Sequence, residues 1–366
     1  MIPFVDLPAR HRPLARTYAQ LFSQTVSAGS FILGKHVTDF ETALARTVKA
    51  RFAIGVSNGT DALIVSLRAL SIGPGDEVII PDFTFISTAF AVLLVGATPI
   101  LTDIDPKTLT MDPQNVKRAI SRRTKAIIPV HLYGLPADMD SICTIAAHRR
   151  IAVIEDAAQA LGSVYKTKHA GAIGDIGCFS FYPSKNIGAL GDGGAITTNN
   201  PAIARRIRTM INIGSEKKYH HTILGGNNRL DTLQAVFLSA QLPRLRAWNA
   251  ARKRHAALYT ALLRDLPITL PPAIPGYTSN THLFVIRTKK RAQLINHLAK
   301  HGIETGIHYP YALHEQPSLA GLGHTPGQFP VSCRAAREAL SLPMYPELTK
   351  QQIRAVARAV RSYFYP

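Results

Sequence analysis

The stretch Ile151-Ala152-Val153-Ile154-Glu155-Asp156-Ala157-Ala158-Gln159, read with Phe179-Ser180-Phe181-Tyr182-Pro183-Ser184-Lys185-Asn186, decides the fold. The first places an acid at the end of an apolar run. The second places a lysine just after another apolar run, in a turn marked by Pro183. Parallel strands deliver such ends to one rim of a sheet, where α/β proteins bind ligands. An acid and a lysine on one rim suit pyridoxal phosphate. The acid keeps the pyridinium nitrogen protonated, so that the ring acts as an electron sink. The lysine forms the Schiff base and shuttles protons. Either residue alone reads better as a surface ion pair or a loop lysine, and it is the surrounding motifs that reverse this.

Upstream, short apolar runs alternate with helical spacing. Ala53 to Val56, Glu77 to Ile80, Pro99 to Thr102, Ala126 to Val130 and Ile151 to Ile154 read as strands. Helices are expected to run to Leu70, through Val95, over Pro113 to Ala119 and over Met139 to His148. This alternation predicts an α/β fold, a mostly parallel doubly wound sheet. Gly59 and Thr60 open a helix, which makes either a phosphate seat or an ordinary cap. Phe85 is placed to stack on a ring or to join the core. Ala195 to Thr198 returns as a strand after the lysine turn. The first dozen residues, broken by Pro3 and Pro8, read as an extended arm. A rise in proline past Leu266 marks a junction, dividing a large domain, 1–245, from a smaller C-terminal α+β domain, 246–366. In the latter, Leu283 to Arg287 and Gly302 to Ile307 read as strands.

The 366 residues carry 42 Lys and Arg against 23 Asp and Glu, a net charge of +19. The basic residues are dispersed, without a tail or an aromatic-interleaved stripe, so nucleic acid is not the expected partner. No run of 18 or more apolar residues occurs, so no membrane span is expected. Cys143, Cys178 and Cys333 lie too far apart for a disulfide framework or a metal site, which points to the cytoplasm. His220-His221 lacks a third ligand at metal spacing, so no metal is expected.

The motifs together resemble the DegT/DnrJ/EryC1/StrS sugar aminotransferases, a branch of the fold-type I pyridoxal phosphate enzymes. They are Asn58-Gly59-Thr60-Asp61-Ala62-Leu63, Gly75-Asp76-Glu77-Val78-Ile79, Val130-His131-Leu132-Tyr133-Gly134 and the two stretches above. Further on come Gly191-Asp192-Gly193-Gly194, Asn227 to Asp231 with Gln234, His308-Tyr309-Pro310 and Leu340-Ser341-Leu342-Pro343-Met344. The resemblance implies that Lys185 is the Schiff-base lysine, that Asp156 faces the ring nitrogen and that Gln159 bonds the phenolic oxygen. It implies Phe85 on the ring face, Gly59, Thr60 and Ser180 on the phosphate, and Asn227 on the phosphate from the other subunit of a homodimer. Tyr182, Arg229, His308, Tyr309 and His314 become substrate candidates. Arg229 also reads as a structural partner of Asp231, and His314 as an ordinary loop histidine. Members with histidine at the lysine position are dehydratases, so Lys185 favours transamination. L-glutamate would convert the cofactor to pyridoxamine phosphate, and a nucleotide-linked keto sugar would take the amine. The stretch Lys218-Tyr219-His220-His221 resembles the 3-keto subgroup, with TDP-3-keto-6-deoxyhexose first, and a UDP-linked glucuronate type or a 4-keto sugar as alternatives. Gly226 and Asn228 depart from that pattern.

Overall fold

The computed structural model describes residues 1–325 and 327–366. Its centre is a seven-stranded sheet. In chain order the strands are Phe52–Val56 (β1), Glu77–Pro81 (β2), Thr98–Thr102 (β3), Thr124–Ile127 (β4), Ala152–Asp156 (β5), Ile176–Ser180 (β6) and Gly194–Thr198 (β7). Their spatial order is β1-β7-β6-β5-β4-β2-β3. The pairs from β6 through β5, β4 and β2 to β3 are parallel, while β7 runs antiparallel between β1 and β6. The sheet is thus the mostly parallel one expected. Its strands read as continuous apolar runs because helices cover both faces. Helices Gly59–Ala69 and Pro201–Ile211 pack one face through Leu63, Leu67 and Ile207. Lys35–Val48 and Thr232–Gln241 contribute Phe40, Leu44 and Leu238 to a second core.

A further core joins Tyr259 and Leu263 to Phe284, Leu298, Leu340, Ile353 and Val360. Its two strands are Phe284–Arg287 (β8) and Ala339–Leu342 (β9), antiparallel with Phe284 opposite Leu342. The strand expected over 302–307 does not form. That segment makes only single bridges, Ile303 to Ile2 and Gly306 to Ser341. The strand that pairs with β8 is Ala339–Leu342, which follows directly on helix Pro330–Glu338. All four of its residues are buried, so no alternation reveals it. The N-terminal segment also differs from the extended arm expected. Leu7–His11 is helical, with Pro8 in the first turn and the Asp6 side chain accepting from Ala9 N at 2.8 Å. Proline suits a first helical turn, where its missing N–H would have had no partner.

The two neighbouring acids of β5 point opposite ways. Glu155 turns away from the ligand rim and is fully buried. Its oxygens accept from Gly171 N, Ile173 N and Gly174 N, each at 2.7 Å, and from His131 Nε2 at 2.8 Å. His131 Nδ1 accepts from Ala137 N, so the ring proton sits on Nε2. Four donors on one carboxylate tie the loop before β6 to the loop after β4. A Glu155→Gln chain would set an amide N–H against some of these donors. We expect it to lose about 3 kcal/mol of stability, read from urea denaturation followed by circular dichroism.

Candidate active site

A cavity of about 720 Å³ opens at the rim carrying the C-terminal ends of β5 and β6. Ten of the residues singled out in the sequence line it: Gly59, Thr60, Phe85, Asp156, Gln159, Ser180, Tyr182, Lys185, His308 and Tyr309. Its size suits a cofactor together with part of a substrate. Another cavity, of about 530 Å³, has Lys107, Lys253, Arg264 and Arg287 on its wall but no carboxylate. It therefore offers no acid–amine pair.

Lys185 and Asp156 supply that pair. Burial depresses the Lys185 ammonium to about 8, against the attraction of Asp156. Burial raises the Asp156 carboxyl, against hydrogen bonds from Thr88 and Ala158 N and the charges of Lys185 and His131. Thr88 Oγ1 donates to Asp156 Oδ2 at 2.9 Å, and Ala158 N donates to Oδ1 at 3.2 Å. The lysine turn is closed by Lys185 N to Tyr182 O at 2.8 Å. It is held from the far end of the chain by Arg10, which is 1 % exposed. Arg10 Nη1 donates to Lys185 O at 2.7 Å and to Pro183 O at 3.4 Å. A buried guanidinium on two carbonyls fixes the backbone that aims the amine.

At another part of the lining, helix Gly59–Ala69 begins. Asn58 caps it by accepting from Asp61 N at 2.8 Å. A Cβ on Gly59 would stand 2.8 Å from Ser180 Cβ, so only glycine lets the strand end and the helix start meet. Thr60 Oγ1 bonds Ser87 Oγ at 2.9 Å. Unpaired N–H groups, hydroxyls and the positive helix end converge there, as an anion requires. Gln159 is held by Tyr133 N, which donates to Oε1 at 2.6 Å, and its Nε2 donates to Tyr309 OH at 2.9 Å. His308 is held through Nδ1 by Ser341 Oγ at 2.9 Å. Burial and the Lys185 charge push it down to about 4. These residues fit pyridoxal phosphate. A buried carboxylate awaits a cationic ring nitrogen, a part-neutral amine awaits an aldehyde, and a helix start awaits a phosphate.

Three sequence candidates lie outside the lining. Asn227 is exposed and bridges to Asn212 through its backbone. Arg229 donates to Asn212 Oδ1 at 2.7 Å, and not to Asp231 as the structural reading of the sequence had it. His314 is turned away and buried, with Nδ1 2.7 Å from Asp82 Oδ2. The structure also brings in residues that the sequence did not flag. Arg10 and Thr88 act on the pair, and His282 lines the cavity with its Nδ1 3.0 Å from Asn186 Oδ1. No motif announced them, because Arg10 and Lys185 meet only through the tertiary fold.

The model of the DegT/DnrJ/EryC1/StrS aminotransferase family matches residues 14–361. A relative from Acidithiobacillus ferrooxidans, a UDP-N-acetyl-3-dehydro-alpha-D-glucosamine 3-aminotransferase, is 45 % identical over 98 % of this chain and 97 % of its own. A dTDP-3-amino-3,4,6-trideoxy-alpha-D-glucose transaminase from Streptomyces venezuelae is 42 % identical over 99 % of this chain and 96 % of its own. The crystal structure of S. venezuelae DesV in complex with a ketimine intermediate superposes with a TM-score of 0.98 at 41 % identity, covering 100 % of this chain and 99 % of its own. NtdA from Bacillus subtilis, solved with bound cofactor PMP, superposes with a TM-score of 0.91 at 32 % identity, covering 96 % of this chain and 82 % of its own. The chain therefore belongs to the DegT/DnrJ/EryC1/StrS family and is a pyridoxal phosphate-dependent aminotransferase.

Proposed function

We propose that the enzyme moves the amino group of L-glutamate to C3 of a TDP-linked 3-keto-6-deoxyhexose. The observation that carries the reading is one cavity holding a buried amine, a buried acid and a neutral anion seat. In this reading Asp156 holds the ring nitrogen, Gln159 the phenolic oxygen and Phe85 the ring face, while Gly59, Thr60 and Ser180 hold the phosphate. The bound cofactor supplies an electron sink for the C–H bond of the amino-bearing carbon. Lys185 would hold the cofactor through its amine, and that amine would also take up and return the proton of the amino-bearing carbon. Glutamate would give up its amino group and leave as 2-oxoglutarate, and the sugar ketone would receive that group. His308, held neutral, donates or accepts a hydrogen bond without adding charge to a site that must hold an anionic substrate.

A second copy of the chain completes the site. Phe85, Leu94 and Tyr182 line the cavity yet are 53 %, 61 % and 57 % exposed, an apolar mouth that a partner would cover. Asn227 of the partner subunit would then bond the phosphate, and Arg229 of the partner subunit would approach the sugar. Both relatives named above aminate sugar C3, one on a UDP-linked and one on a dTDP-linked substrate. The higher identity of the UDP enzyme favours a UDP-linked 3-keto sugar as the second reading.

Three outcomes follow. In cofactor-free enzyme, an amine at about 8 is roughly one-quarter neutral at pH 7.5, against about 0.1 % at its ordinary value. The rate of pyridoxal phosphate uptake, followed by absorbance, should therefore climb between about pH 7 and 9 with a midpoint near 8. The Lys185→Arg protein should show no such rise. Asp156→Asn should lower kcat by about 10²–10³-fold in coupled 2-oxoglutarate assays, because a neutral amide no longer holds the ring nitrogen positive. Incubation with glutamate and a set of TDP- and UDP-linked 3-keto and 4-keto sugars, read by mass, should give amination of the TDP-3-keto sugar first. Exclusive amination of a 4-keto sugar would reject the C3 assignment while leaving the aminotransferase intact.

A further inference from the structure

Outside the cavity, three side chains of different chemistry converge. His314 and Glu315 lie in the short turn Leu313–Glu315, and Cys333 lies in helix Pro330–Glu338. One ligand atom from each lies within 4.8 Å of the other two. None of the three lines the cavity of Lys185. No metal-binding spacing along the chain announces this cluster.

We propose that His314, Glu315 and Cys333 bind one borderline divalent transition metal ion, zinc before others, with Asp82 as the outer carboxylate. The donor set is one imidazole nitrogen, one thiolate and one carboxylate oxygen, which zinc accepts readily. Tetrahedral zinc, with bonds of about 2.0 Å to nitrogen and about 2.3 Å to sulfur, separates those two atoms by about 3.5 Å. His314 Nε2 and Cys333 Sγ are 3.5 Å apart. The imidazole is also presented in the correct tautomer. Asp82, fully buried, holds Nδ1 at 2.7 Å and accepts from His314 N at 2.9 Å. With the Nδ1 proton committed to Asp82, the Nε2 lone pair faces the sulfur. A carboxylate behind a ligating histidine is the common arrangement in metal sites.

Glu315 Oε2 accepts from Ala312 N at 2.9 Å, which anchors the side chain and leaves Oε1 for the ion. Glu315 is half-buried, so the ion has a route from solvent. The start of the cysteine helix is pinned as well. Asp103 accepts from Val331 N at 2.9 Å and from Ser332 N at 2.8 Å. Binding transfers the thiol proton to solvent, and the thiolate and carboxylate then balance the two positive charges of the ion. Three protein ligands leave a fourth position for water. Asp82 immediately precedes Phe83-Thr84-Phe85, so its bonds with His314 tie the proposed metal site to the segment leading to the cofactor ring.

The test uses the reduced full-length enzyme, stripped of metal with a chelator and titrated with Co²⁺ and then with Zn²⁺. One Co²⁺ per chain should bind with a thiolate-to-cobalt absorption band in the near ultraviolet, and Zn²⁺ should displace it. Cys333→Ser should lose the band and the Zn²⁺-dependent rise in melting temperature. Its circular dichroism should match the parent, which separates lost ligation from lost folding. Glu315→Gln should weaken binding at least tenfold. Cys143→Ser and a His220→Gln/His221→Gln chain should bind as the parent does. No cobalt–sulfur band in the parent, an unchanged affinity in Cys333→Ser, or a band lost in Cys143→Ser would each overturn the proposal.

Discussion

The parallel pairing of β5 with β6 governs the rest of the molecule. Its register sets Ile154 beside Ile176, Glu155 beside Gly177 and Asp156 beside Cys178. Successive strand residues face opposite ways, so the register decides which of two adjacent carboxylates reaches the cavity. Asp156 does. Glu155 goes to the other side and gathers three backbone N–H groups and a histidine. A slip by one residue would turn Glu155 into the cavity and leave the loop N–H groups that it accepts from unsatisfied. The antiparallel return of β7, with Gly194 opposite Ser180, then holds the segment that carries Lys185 over the same rim.

Burial does the chemical tuning. The same exclusion of water lowers the Lys185 ammonium and raises the Asp156 carboxyl, since each loses hydration in its charged form. Their mutual attraction opposes both shifts without cancelling either. The amine becomes a nucleophile near neutral pH, and the carboxylate is left short of a cation. Distant residues make this possible. Arg10 aims the lysine turn through two carbonyls, and Arg252, also buried, donates to His282 O at 3.1 Å and Met344 O at 2.8 Å. Each arginine reaches its two carbonyls through Nη1 alone, which ties the backbone at both to one buried cation. Part of the unusual positive charge is therefore internal scaffolding.

Much of this was legible beforehand. Apolar runs bounded by glycine and proline located six of the seven sheet strands, because strands buried on both faces need no alternation to be recognised; the seventh, Ile176–Ser180, was marked only by the apolar run before Lys185. The acid and the lysine were legible because each closes an apolar run with a residue type that a core excludes. Gly59 and Thr60 were legible as a helix start, while Ser180 was legible only through the family resemblance. The failures have physical causes too. Pro8 sits at a helix start, where proline favours the helix it usually breaks. Ala339–Leu342 follows a helix without a turn signal, and its strand character arises only from β8 beside it. His314 carried a substrate reading only through the family resemblance, yet its ring is committed to Asp82.

Local sequence by itself determined the order of strands and helices, the chemical kinds of the catalytic groups and the turn that frees the lysine, because these depend on short-range periodicity and backbone preference. Only the tertiary structure decided which carboxylate meets the amine, which arginine braces it and which histidine is withdrawn into the core. Those choices rest on strand register and on contacts between residues as far apart as Arg10 and Lys185. Such contacts leave no pattern in a single chain, since either partner alone satisfies the local rules equally well in another place.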